Sequence, residues 1–158
     1  MQQKISPLKA LRFLHKAMML GMLLFTVIVI FVVLQHPGAA IDPSLGKTLQ
    51  VVALVLSVGG TAAGFMLFKS KLQSIDLADT AENRITAYRK AAIIRWALIE
   101  APVLFSIICL KMTGNYAFLA LALALLFVFG AVRPSTQVIM FQLKLTEAEM
   151  SELENVSE

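Results

Sequence analysis

The chain has 158 residues, 58% of them hydrophobic and 15% charged, with a mean hydropathy of +0.78 and a net charge of +4. Soluble domains sit nearer half apolar and a quarter charged, so the composition excludes an ordinary water-soluble domain and indicates a membrane protein. A single cysteine, Cys109, excludes an internal disulfide and a cysteine-based metal site, and in its apolar run it reads as a small buried hydrophobe.

Met1 to Lys16 is a basic amphipathic arm, with Lys4, Lys9, Arg12 and Lys16 among Ile5, Leu8, Leu11, Phe13 and Leu14. Such an arm suits anionic lipid headgroups. His15 within it reads as a solvated interfacial side chain. Ala17 to Leu34 carries no charge over about the length that crosses a bilayer. It exceeds the roughly 7–15 apolar residues of a signal-peptide core, so it is expected to be retained as the first span. Gln35 to Thr48 contains His36, Pro37, Gly38, Asp42, Pro43 and Gly46, punctuation that predicts an external loop. Leu49 to Phe68 is the second span. Its middle clusters Ser57, Gly59, Gly60, Thr61, Ala62, Ala63 and Gly64. Gly60 and Gly64 have the G-x-x-x-G spacing that lets two membrane helices meet backbone to backbone, and Gly59 is assigned to the same packing surface.

Lys69 to Lys90 is the longest polar stretch, and Asp79 or Thr80 is the expected N-cap of the returning helix. That helix should run to Leu110 with its membrane part over 91–110. Lys111 to Asn115 is a tight external turn, Tyr116 to Val132 the fourth span, and Arg133-Pro134 its end. In the tail, Val138, Ile139, Phe141, Leu143 and Leu145 form an amphipathic segment for the membrane surface. Thr146-Glu147-Ala148-Glu149 is a capping-box pattern that starts one last acidic helix. Its acidic residues are expected on a solvated face; docking onto the basic arm or onto Arg84–Lys90 is the alternative. Of the 14 lysines and arginines, 12 lie in the arm, the 69–95 stretch or the 133–144 stretch, leaving only Lys47 and Lys111 on the other side. With four spans, this asymmetry places both termini in the cytoplasm. The expectation is an all-α, four-transmembrane-helix bundle of a plasma (inner) membrane over 1–134, followed by an amphipathic and acidic cytoplasmic tail over 135–158.

No phosphate-cradling glycine loop, metal-ligand spacing or nucleophile beside a base is present, which argues against an enzyme, a cofactor and a metal. The basic residues are juxtamembrane and lack interleaved aromatics, so topology explains them better than nucleic acid does. Two charges remain inside the third span. Arg95, next to Trp96, is expected to be an interface anchor, the ring at headgroup level and the guanidinium snorkelling. Glu100 lies five residues deeper, about 7.5 Å along the axis and about 140° around it, a poor spacing for an intrahelical ion pair. It must find a partner elsewhere or hold a proton. Such residues are functional by default. Ser57 and Thr61 of the second span are the candidate partners, as co-ligands of an ion or as structural hydrogen-bond partners. Pro102 adds a carbonyl, that of Leu98, without its helical donor.

Ala97-Leu98-Ile99-Glu100-Ala101-Pro102-Val103-Leu104-Phe105 resembles the carboxylate-bearing helix of the proteolipid c subunit of rotary ATP synthases. The preceding helix with Gly59-Gly60-Thr61-Ala62-Ala63-Gly64 and the polar loop after it look similar as well, so the resemblance covers about 49–113. It implies that Glu100 carries a proton or sodium ion and that the glycine cluster permits tight packing in an oligomer. The glycine repeat here is shorter, the loop is longer and lacks an Arg-x-Pro signature, and two further spans flank the hairpin. Arg89 to Arg133 also looks like uncharacterised four-span bacterial membrane proteins, a resemblance that implies no activity. Two expectations follow: a proteolipid-like subunit with an ion-binding Glu100, or a non-catalytic accessory protein that docks a partner through its cytoplasmic helices and tail.

Overall fold

The computed structural model describes residues 6–36 and 41–155; Lys4 and Ile5 of the basic arm, residues 37–40 of the loop after the first span and the last three residues of the tail lie outside the described residues. Six helices run through it: α1 (Pro7–Gln35), α2 (Pro43–Gln73), α3 (Ala81–Thr113), α4 (Ala117–Ala131), α5 (Thr136–Leu143) and α6 (Glu147–Asn155). Local signals set their ends. Prolines stand in the first turns of α1 and α2, where a missing N–H costs nothing, and the Asp42 side chain accepts from the Ser44 N–H at 2.7 Å. Thr80 accepts from the Asn83 N–H at 3.3 Å and starts α3. Gly114 closes α3 in the left-handed region (φ 65°), its N–H donating to the Leu110 carbonyl at 2.8 Å. The basic arm is not separate from the first span. α1 begins at Pro7 and continues unbroken to Gln35, because lysine and arginine are good helix formers and hydropathy marks the membrane edge, not the helix end.

α3 is the hub: α1, α2 and α4 all pack on it, and it has more buried residues than any other helix. α1, α2 and α3 are each long and apolar enough to cross a membrane, and α4 with α5, bent by 65° at their junction, is a fourth candidate. The outer faces of α1 and α2 expose Val27, Ile28, Phe31, Val51, Val55, Val58 and Met66. A contiguous apolar exterior of that kind requires lipid, not water.

The α2–α3 contact is closest at two glycines. A Cβ on Gly60 would stand 2.7 Å from the Leu98 carbonyl oxygen, and one on Gly64 would stand 3.3 Å from the Arg95 carbonyl oxygen. Pro102 has no N–H to offer Leu98, so the carbonyl that it releases from the helical ladder is the one that the bare backbone of Gly60 covers. Gly59 does not share this surface. It is exposed and a Cβ there meets nothing within 4 Å, since adjacent residues of a helix point about 100° apart.

The tail folds back. Thr146 and Glu149 complete the capping box reciprocally, the Glu149 N–H donating to Thr146 Oγ1 at 3.2 Å and the Thr146 N–H to Glu149 Oε2 at 2.8 Å. The other Glu149 oxygen pairs with Arg84 of α3, which also donates to the Leu143 carbonyl at 2.9 Å. Ser6 Oγ donates to the Leu153 carbonyl at 2.7 Å, and Met150 and Leu153 are buried. α6 is thus docked on α1 and α3 through Met150, Leu153 and the Glu149–Arg84 pair, while Glu147 and Glu152 stay exposed on its solvated face.

Gly60→Ala should destabilise the α2–α3 pair by about 1–3 kcal/mol, the usual range for overpacking, whereas Gly59→Ala should be neutral or stabilising by up to about 1 kcal/mol. Thermal unfolding of the two variants in one detergent checks the contrast. A second expectation concerns pH. The Thr146 N–H and hydroxyl, and then the Arg84 guanidinium, hold the Glu149 carboxyl below the usual glutamate range. A depressed folded value means that this contact stabilises α6 above the ordinary carboxylate range and is lost as pH falls through the depressed value. Amide exchange in 146–155, corrected for intrinsic rates, should therefore lose protection between neutral pH and about pH 3, and Glu149→Gln should remove that dependence.

Candidate functional site

α3 presents its polar side chains in different directions, and its neighbours decide what each one meets. Arg84 and Arg95 are eleven residues apart and only about 20° apart around the helix, so both lie on the stripe of α3 that continues through Tyr88. Arg84, in the first turn of α3, has a carboxylate partner in Glu149. Arg95 has none among the described residues. Its guanidinium lies 3.9 Å from the centroid of the Phe68 ring and 5.7 Å from that of Phe65, and it donates to the Val132 carbonyl at 3.3 Å. An arginine is suited to this role because its planar, weakly hydrated cation stacks on aromatic faces.

The expectation of Arg95 and Trp96 as interface anchors is corrected by their burial: 8% exposed for Arg95 and fully buried for Trp96. Arg95 lies beside Phe68 and Val132, and both side chains point into the bundle instead of toward headgroups. Trp96 meets His15 of α1 edge-on at 4.9 Å, and His15 stacks on Phe129 of α4 at 4.7 Å. His15 Nε2 lies 3.1 Å from the Phe129 carbonyl. His15 is therefore a packed link between α1, α3 and α4, not the solvated side chain expected from the arm. Nothing in the local sequence distinguishes the two, because its partners come from residues 96 and 129.

Glu100 lies on the side of α3 away from α2. The α2 face of α3 carries Arg95, Leu98 and Pro102, which line the Gly60 and Gly64 contacts. At about 100° per residue, Glu100 is some 160° from Leu98 and from Pro102. It sits instead beside the buried Trp96 and Ile107, at the edge where Ala97, Ala101 and Ile108 turn outward. It is half-buried, and among the described residues no hydrogen bond or ion pair holds it.

Ser57 and Thr61 are not brought to it. Ser57 is buried and donates to the Ala53 carbonyl of its own helix at 2.6 Å; the Thr61 hydroxyl is buried without a partner. The expected cluster of Glu100, Ser57 and Thr61 is corrected accordingly: α2 docks through its glycines onto the opposite face of α3, so its hydroxyls and the carboxylate stand on different sides. What remains is a single carboxylate, about 7.5 Å deeper than Arg95 along the axis, open to whatever surrounds the bundle.

No protein-family model matches the chain, and neither a curated protein nor a solved structure matches it.

Arg95→Lys should lower stability by about 1–2 kcal/mol, since an ammonium does not reproduce the flat contact with Phe68 and is more strongly hydrated. The measurement is thermal unfolding in detergent, and an unchanged midpoint would contradict the assignment of a structural role to that stacking.

Proposed function

We propose that the chain is a four-span integral protein of a plasma membrane, with both termini in the cytoplasm, that carries a reversibly protonated carboxylate at Glu100. The observation that carries this reading is the solitary position of Glu100: inside the span, half-buried, unpaired, and turned away from the hydroxyls of α2. A charge that deep in hydrocarbon neutralises itself unless it is paired, so the carboxyl takes up a proton there. The topology rests on the 12 of 14 cations that fall on one side of the spans.

The arrangement favours a proton over sodium. Hard cations are held by about six oxygens, and with Ser57 and Thr61 on the far side of α3 only the two oxygens of Glu100 remain. The site has the logic of the proteolipid subunits that the Glu100 segment resembles: a carboxyl on the outer surface of a helix, exposed to lipid or to a neighbouring chain. Outward Ala97 and Ala101 leave room beside it for another helix to approach. The alternative reading, an accessory protein that captures a partner with its tail, is weakened by the docking of α6, whose Glu149, Met150 and Leu153 are turned onto the chain itself.

The test is labelling by dicyclohexylcarbodiimide in reconstituted vesicles, a hydrophobic reagent that attacks protonated membrane carboxyls. Labelling should map to Glu100, vanish in Glu100→Gln, and decline as pH rises with no protection by sodium. Sodium protection would replace the proton by that ion. Absence of labelling at Glu100 at every pH would sink the proposal.

A further inference from the structure

We infer that the groove between α1 and the end of α4 is a binding site for one anionic phospholipid of the cytoplasmic leaflet, its phosphate held by Arg12, Lys16 and Arg133. The groove has a volume of about 370 Å³, and among the described residues that line it none is a carboxylate. One stripe of α1 supplies most of its wall: Arg12 and Lys16, then Met19, Leu20 and Leu23 at the same helical face. Read along the axis, this is two cations followed by an apolar strip, and Leu23 lies about 10 Å below Lys16 at 1.5 Å per residue. That sequence of chemistry is the sequence of a phospholipid, headgroup first and acyl chain after it.

The opposite wall completes the match. Arg133 follows the last turn of α4 and brings a third cation to the same rim. Gly130 lets the two walls close up, since a Cβ there would stand 3.0 Å from the Met19 methyl. Arg12 is oriented by its bond to Thr136 at the start of α5, which fixes the rim from above. Lys16 is exposed and Leu20 is 58% exposed, so the groove opens to the lipid phase along its length. Charge complementarity decides the occupant: three cations in a mostly apolar cleft at a membrane boundary favour a phosphate that arrives with its own acyl chain. The leaflet depends on the cytoplasmic topology proposed above; the site does not depend on the role of Glu100.

Native mass spectrometry of the full chain, released from detergent containing equal phosphatidylglycerol and phosphatidylcholine, tests the assignment. The parent should retain one phosphatidylglycerol in preference to phosphatidylcholine. Lys16→Gln/Arg133→Gln should weaken that retention at least about tenfold, while Lys69→Gln/Lys71→Gln, which removes two cations outside the groove, should leave it unchanged. Leu20→Trp, an outward position that fills the groove without altering charge, should also reduce retention. Inorganic phosphate should not compete; competition by phosphate alone would reduce the site to an anion site and overturn a lipid occupant. Equal losses in the two charge variants, or equal retention of both lipids by the parent, would overturn it as well. Circular dichroism of each variant establishes that a loss is not unfolding.

Discussion

The approach of α2 to α3 at Gly60 sets the position of the polar groups in the membrane part of the molecule. Because Gly60 and Gly64 lack side chains, α2 lies directly on the α3 backbone, over the Leu98 carbonyl that Pro102 leaves without a donor. That choice of face places Phe65 and Phe68 over Arg95 and gives the guanidinium aromatic surfaces in place of a carboxylate. It also fixes what α2 does not cover. Glu100, nearly opposite on the helix, is left with no partner from α2 and with α3's outer edge as its surroundings.

Arg84 and Arg95 share a stripe yet obey different physics. Near the start of α3, beside the partly exposed Glu149, Arg84 organises the tail through a charged pair with that residue and the carbonyls of residues 143 and 144. Eleven residues along, a carboxylate would have to be buried with its cation, at a desolvation cost that such pairs often fail to recover. Ring faces and the Val132 carbonyl stabilise Arg95 without importing a second charge. The same economy makes Glu100 conspicuous: it is the buried-side charge for which the fold provides nothing.

Helix starts and the close helix contact are legible in the sequence; azimuth is not. The glycine spacing at 60 and 64 located the close helix contact, Thr80 and the Thr146–Glu149 box located two helix starts, and the apolar runs located the three long spanning candidates. Each of these depends on neighbours a few residues apart. The direction in which a side chain points within the bundle depends on which helix packs against which face, and hydropathy carries no information about that. Hence the sequence reading turns Arg95 and Trp96 outward where the bundle buries them, groups Gly59 with glycines it does not accompany, and joins Ser57 and Thr61 to a carboxylate on the far side of α3. His15 reads as solvated from the sequence because its environment is made by Trp96 and Phe129, more than eighty residues away. The groove beside it was hidden for the same reason, since Arg12 and Arg133 meet only in the folded chain.

The central claim is that Glu100 is a carboxylic acid, not a carboxylate, within the membrane at neutral pH. Infrared difference spectroscopy of the protein in lipid vesicles reads this directly, as the carbonyl stretch of a protonated carboxyl above the amide band. The account predicts such a band at neutral pH, shifted in heavy water and absent from Glu100→Gln. A spectrum without it, or a band that survives the substitution, would contradict the account.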